Sequence, residues 1–335
     1  MWGFGWPGYD AGRTLQQNLT SDGWDPDWIW AYKLNEYQEP EGIALPKLVL
    51  FNETIQNSRG NMRPIVLDEA RAVTVIGFHH ENDWAYWRDQ LPQPSFYVPH
   101  CADPNPAPLP FANRPVGVLL TGRVSESVYP LRTRMCRMMK PGPIRSRLPR
   151  MLQGPTIAGT VRPHPGYVLQ SHENIISQYC DYRRDLARAR ITLSCTSVES
   201  DALAKLFESM AEGCLVMSDL PDSPDFQASF GEAIVAIDRS MSDRQIAETV
   251  AWWSNHPREA EEKARLGYDR MVKGYTLAHY ADRLVAILKN SVIRIPARNS
   301  ALADWHVTFC STVWSQGRAI SGWNPYYISV NECVV

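Results

Sequence analysis

Lys205 and Glu208 stand three apart within LARARITLSCTSVESDALAKLFESMAEGCLVMSD, the stretch from Leu186 to Asp219. On a helix this spacing puts both on one face. Two chemistries fit. The pair is a surface ion bridge, or the helix points its first turns at a ligand, with Lys205 on a phosphate and Glu208 on ribose hydroxyls. Upstream, Thr121-Gly122-Arg123 closes an apolar run, and Tyr129-Pro130-Leu131-Arg132 follows. An arginine at a strand's carboxyl end suits a diphosphate, because its planar fork pairs two oxygens. His79 and His80 follow a run ending at Ile76, with Glu81 and Asp83 close by. A histidine there is a general-base candidate at its ordinary pKa; the other reading is two loop histidines. His164-Pro165-Gly166-Tyr167 reads equally as a turn or as a loop against a ligand ring. Gly3-Phe4-Gly5-Trp6-Pro7-Gly8 matches G-x-G-x-x-G, but only two residues precede Gly3 and Pro7 interrupts, so a dinucleotide site is disfavoured. The better reading is a crevice loop in which Gly5 and Gly8 let the backbone approach a ligand. Asp25-Pro26-Asp27 is read as turn chemistry rather than a metal pair. No metal cluster and no cofactor is expected.

These residues need elements to hold them. In 186–219 a β-favourable run with Ile191 and Leu193 leads to a helix capped by Ser200 or Asp201. Ala202, Leu203, Leu206, Phe207 and Met210 form its apolar face, Gly213 stops it, and Cys214–Met217 is a buried strand. The result is a βαβ unit whose polar groups gather where α/β proteins hold ligands. Further strands are expected at Trp28–Tyr32, Lys47–Phe51, Ala72–Ile76, Phe96–Val98, Val116–Leu120, Thr156–Ala158 and Ala233–Ile237. Three helices should follow: one opened by a Ser242/Gln245 capping box, one begun at Pro257, and one over roughly 277–288. Residues 99–115, PHCADPNPAPLPFANRP, read as a proline-rich extended linker. The fold class is therefore α/β with two Rossmann-like lobes. The first lobe covers 1–112, including the start of the proline linker, and lacks its first strand; the second covers 113–289; and 290–335 is expected to be an atypical, poorly ordered tail.

Composition narrows the classes. The 335 residues carry a formal charge of −2, which argues against a general nucleic-acid surface. The basic stretch from Arg132 to Arg150 lacks interleaved aromatics and reads as a solvated helix. No apolar run reaches membrane-span length, and no signal peptide opens the chain. Seven cysteines without a Cys-x-x-Cys pair suggest unpaired thiols and a cytoplasmic protein.

ARITLS, Lys205 and Glu208, AEGCLVMSD and YTLAHYADRLVAIL resemble the nucleotide-sugar lobe of GT-B glycosyltransferases, and of the CgeB-type spore proteins and their fungal relatives in particular. VLLTGRVSESVYPLR and HPGY resemble the opening of the same lobe. Looser matches cover the Gly3–Asp10 loop, Phe51-Asn52-Glu53 and Val98–Asp103, so the resemblance runs from about Gly3 to Leu288. It implies a nucleoside-diphosphate sugar donor, an unknown acceptor and no metal. By position, Glu208 meets the donor ribose, and Gly122, Arg123 or Arg132, with His164, Ser200 and Lys205, lie on the donor side; His79 or His80 would serve the acceptor. The related group 1 transferases use Glu-x7-Glu, whereas here Ser200 stands where the first glutamate belongs and Glu199 is one place early. Lys205 stands where many CgeB-type chains have arginine. The absent first strand suggests an N-terminally truncated chain, so the alternative is a non-catalytic, degenerate GT-B-like nucleotide-binding protein.

Overall fold

The computed structural model describes residues 2–3, 13, 17, 21, 29–32, 47–51, 74–140, 154–162, 172–290 and 309–311. Contacts divide the chain into two units: Met1–Pro99 with Tyr167–Ser177 and Ala281–Val335, and His100–Gly166 with Gln178–Tyr280.

The first unit holds a six-stranded, all-parallel sheet. Its strands are β1 (Trp2–Gly3), β2 (Ile29–Tyr32), β3 (Lys47–Phe51), β4 (Val75–Phe78), β5 (Ser95–Tyr97) and β11 (Phe309–Ser311), in the order β1-β11-β2-β3-β4-β5. Two expectations differ from this arrangement. Trp2 and Gly3 themselves form a short strand, so the glycine-rich run begins in one. The tail also contributes a strand, which pairs with β1 on one side and β2 on the other. Three residues are too few to show a period in sequence, so neither strand was legible. Helix α1 (Glu81–Trp87) follows β4.

The second unit carries a five-stranded parallel sheet: β6 (Val116–Thr121), β7 (Thr160–Arg162), β8 (Ala189–Leu193), β9 (Leu215–Ser218) and β10 (Ile234–Ala236), in the order β10-β9-β8-β6-β7. From β6 the chain passes through α2 (Pro130–Met139) to β7, then through α3 (His172–Ala187) back past β6 to β8. The order reverses between β6 and β8, and their carboxyl ends frame the crevice at which such sheets bind ligands. Helix α4 (Ala204–Ala211) joins β8 to β9, and α5 (Pro224–Phe230), α6 (Asp243–Asn255), α7 (Pro257–Gly274) and α8 (Leu277–Asn290) follow.

Helix α4 is buried on almost every face. Phe207 packs edge-on to Phe226 and Phe230 at 5.4 and 5.5 Å, and Leu206, Met210, Val216 and Met271 complete that core. Gly267 of α7 lets the helices close, since a Cβ there would lie 3.1 Å from Met210. Gly213 ends α4 in the left-handed region, at φ +69°. The helix starts later than expected: Leu203 is its N-cap and makes no side-chain cap bond. Asp201 instead accepts from the Ser197 hydroxyl, a local bond that competes with capping. The β7 strand lies at 160–162 rather than 156–158. In α2, Leu131, Arg132, Thr133, Met135 and Met138 are buried, so this part of the basic stretch is not a solvated helix.

The proline-rich segment is not a free linker. Arg114 donates to the carbonyls of Leu109, Ala189 and Glu212. Asn105 donates to Glu212, and Arg183 donates to the Asp103 carbonyl. Proline forbids ladder pairing but leaves side chains and carbonyls available to such anchors. Among the described cysteines, Cys101, Cys136, Cys195 and Cys214 are not in disulfides, while Cys180 is disulfide-bonded. This corrects the expectation of unpaired thiols throughout: pairing depends on proximity in the fold, which sequence spacing does not show. Among the described residues no helix is long and apolar enough to cross a membrane.

Candidate functional site

At the end of β6 the backbone turns through Gly122 at φ +104°, a conformation open to glycine and costly for other residues. A Cβ there would stand 2.9 Å from both Arg132 Nη1 and Lys205 Cε. Gly122 thus brings the arginine of α2 and the lysine of α4 to one point beside β6.

Arg132 is 1% exposed. It lies over the Tyr129 ring at 4.3 Å and donates to the carbonyls of Arg123 (3.2 Å) and Cys195 (3.4 Å). Its Nε has no hydrogen-bond partner. No carboxylate pairs with it among the described residues, so a buried cation is left under-satisfied, which is costly unless something anionic completes it.

Lys205 is half-buried. Its ammonium sits 4.7 Å from the centre of the Tyr182 ring. Its pKa is lowered by burial, against the raising effect of Glu208 and with Arg132 and Arg162 pressing the same way. Glu208 is 1% exposed, which removes the surface ion bridge from the two sequence readings. The Tyr182 hydroxyl donates to Glu208 Oε2 at 3.0 Å and also meets the Thr121 side chain. Burial pushes the Glu208 carboxyl up to about 7, against the lowering effects of Lys205, Arg183 and the Tyr182 bond. Arg132, Lys205 and one reluctant carboxylate therefore share the crevice end of one sheet, with Arg162, itself paired to Asp185, acting on Lys205 from β7.

Gly122, Arg132, Lys205 and Glu208 are brought together as the sequence suggested. The Arg123 side chain is exposed, and its carbonyl is what takes part. Ser200 sits in the loop before α4 at φ +61°, its amide donating to the Ser197 carbonyl and its own carbonyl accepting from Asp222. A serine in this region is held there by its surroundings. His164, Gly5, Gly8 and the Asp25-Pro26-Asp27 turn lie outside the described residues. His79 and His80 belong to the first unit, buried just after β4. His79 Nδ1 lies 3.0 Å from the Val98 carbonyl; a carbonyl only accepts, so Nδ1 carries the proton. Burial, with His80 adding to it, lowers His79 to about 3. The ordinary pKa assumed from sequence does not hold for this ring.

Two networks escaped sequence reasoning. Tyr182 and Arg162 join the site from α3 and β7, and no motif marks either. The Asp219 carboxylate accepts from the Thr196 amide and hydroxyl (2.7 Å each) and from Arg239 Nε (2.7 Å). It pins the loop before α4 to the ends of β9 and β10. Asp219 closes a quoted strand run, so its place at a strand end was visible, but its partners lie 20 or more residues away.

Two parallel α/β units, with a polar set at the reversal point of the second, place the fold in the GT-B class. A family model described as glycosyl transferase-like matches residues 144–286. Among solved structures, the chain is similar to sucrose-phosphate synthase from Thermosynechococcus elongatus, with TM-score 0.53, 13% identity, and coverage of 82% of this chain and 75% of that one. It is similar to an alpha,alpha-trehalose-phosphate synthase (UDP-forming) from Burkholderia vietnamiensis, with TM-score 0.51, 12% identity, and coverage of 82% and 76%. TarM gives TM-score 0.52 and 10% identity over 78% of this chain, which spans 55% of TarM. At these identities the likeness is one of fold. Comparison with curated proteins gives no sequence match.

Proposed function

We propose that this chain is a glycosyltransferase that moves a sugar from a nucleoside-diphosphate donor to an acceptor, with the donor held by the second unit. The observation that carries the proposal is the meeting of buried, under-satisfied Arg132 with Lys205 at Gly122, beside buried Glu208. Cations at a crevice end suit a diphosphate, and a carboxylate one helical turn from the lysine suits vicinal ribose hydroxyls. The glycosyl transferase-like match covers Lys205 and Glu208, and the solved neighbours include a UDP-forming synthase.

Arg132 and Lys205 would stabilise the departing diphosphate, whose charge grows as the glycosidic bond to it breaks. No step needs a metal in this scheme; the protein's own cations take that electrostatic role. The first unit, expected over 1–112, would hold the acceptor. His79, with a pKa of about 3, is a poor acceptor of the acceptor's proton at neutral pH, so His80 is the base candidate of the two. The CgeB-type relationship is part of the same proposal, supported by the sequence resemblance from Gly3 to Leu288.

Titration calorimetry with UDP, GDP and their sugars tests the donor site. Binding of one of them is expected, with Glu208→Ala weakening it about tenfold or more, as for loss of hydrogen bonds to a charged group. No binding by folded wild-type protein refutes the reading. Binding without sugar transfer to any of a broad acceptor panel favours the non-catalytic alternative.

A further inference from the structure

Tyr182 touches the end of β6 and both candidate donor residues of α4. Its ring face carries the Lys205 ammonium at 4.7 Å, its hydroxyl donates to Glu208 at 3.0 Å, and that hydroxyl also meets Thr121, the residue before Gly122. Its own backbone lies on α3, the crossover that returns the chain from β7 to β8. One aromatic side chain therefore ties the end of β6 to both charged residues of α4.

We infer that Tyr182 is the positioning residue of this site: its ring seats Lys205 for the diphosphate, and its hydroxyl keeps Glu208 aimed and ionised for the sugar hydroxyls of the nucleoside. The inference rests on the donor-site reading above. A desolvated ammonium on an aromatic face is held by the ring quadrupole without losing its charge to a carboxylate. This leaves Lys205 and Glu208 three apart on one helix, yet each is turned to the tyrosine. The groups facing Glu208 are Lys205 from its own helix, Glu212 at that helix's C-cap, and Tyr179, Tyr182 and Arg183 from α3. Burial favours the protonated carboxyl, and a protonated carboxyl accepts less well from ribose. The Tyr182 hydroxyl opposes that protonation by donating to the ionised form.

Two variants separate the ring from the hydroxyl. Tyr182→Phe keeps the ring and removes the donor; Tyr182→Leu removes both. The full chain is titrated with UDP, GDP and inorganic pyrophosphate between pH 6 and 9. Tyr182→Phe is expected to weaken the nucleoside diphosphate that binds about tenfold near neutral pH, and pyrophosphate less than about twofold. It should also move the midpoint of the affinity–pH curve upward, as the carboxyl holds its proton longer. Tyr182→Leu is expected to weaken pyrophosphate as well, about fivefold or more. A tyrosine that only supports the fold would lower both affinities alike and leave the midpoint where it was, and that result overturns the inference. Should Tyr182→Leu not fold, Tyr182→Phe alone decides the role of the hydroxyl. If wild-type protein binds pyrophosphate but neither nucleotide, Glu208 has no ribose to hold and the inference falls. Wild-type protein that binds none of the three removes the donor reading itself, and Tyr182's role with it.

Discussion

Glu208 is the residue at which function and stability pull against each other. Its folded pKa of about 7 lies above the ordinary glutamate value of 4.5. Between those values the unfolded chain has released the proton and the folded chain still holds it, so unfolding stability falls as pH rises. Each pH unit across that window costs about 1.4 kcal/mol. Thermal unfolding of ligand-free protein should show a decline from pH 5 to 7 that Glu208→Gln abolishes. An unchanged slope in that variant would assign the decline to other groups. Gly122 offers a second test at this scale. Gly122→Ala must either leave the φ of +104° or push Arg132 and Lys205 apart. The backbone strain is about 1–3 kcal/mol, and pyrophosphate affinity should fall more than stability alone explains. Equal pyrophosphate titrations for variant and wild type would mean that the close approach at Gly122 does not shape the site.

Elements with a period or a terminator were legible in the sequence. The 47–51 strand and the stop of α4 at Gly213 are seen as read, while its expected apolar face keeps Leu206, Phe207 and Met210 but loses Ala202 and Leu203, which precede the helix. The capping box at the start of α6 is present in full, with Ser242 Oγ accepting from the Gln245 amide and Gln245 Oε1 accepting from the Ser242 amide. Ser242→Ala should lower stability by about 1 kcal/mol, visible as a shift in the urea midpoint with the slope unchanged. The cap of α4 was misread because Asp201 and Ser197 satisfy each other, leaving the apolar Leu203 at the helix start. Lys205 and Glu208 could be placed on a helix but not inside or outside the protein. That choice belongs to α3, α2 and the β6 turn, whose packing against α4 is non-local. Tyr182 was silent for the same reason: a tyrosine in a helix has no spacing that announces a partner 26 residues away.

On the scale of the molecule, the proline-rich segment from His100 onward belongs to the second unit. Its anchor is Arg183, which donates to Glu212, the Asp103 carbonyl and the Tyr179 hydroxyl. The Arg183 and Glu212 side chains are 11% and 4% exposed, so removing one charge strands the other. Arg183→Met is expected to destabilise by about 3–5 kcal/mol, measured by chemical denaturation, and to expose residues 100–115 to proteases that spare them in the wild type. Cleavage there in native wild-type protein at the rate of an unfolded peptide would contradict the anchoring. The strand order of the first unit has a consequence for synthesis. Phe309–Ser311 pairs between β1 and β2, so β1 and one edge of β2 wait for a segment that is made after the whole second unit. The second unit is closed by Tyr280. Domains commonly fold in the order they are made; here the unit begun second is the one that can finish first, and while it does β2 has β3 on one edge but lacks its β11 partner on the other, as β1 does.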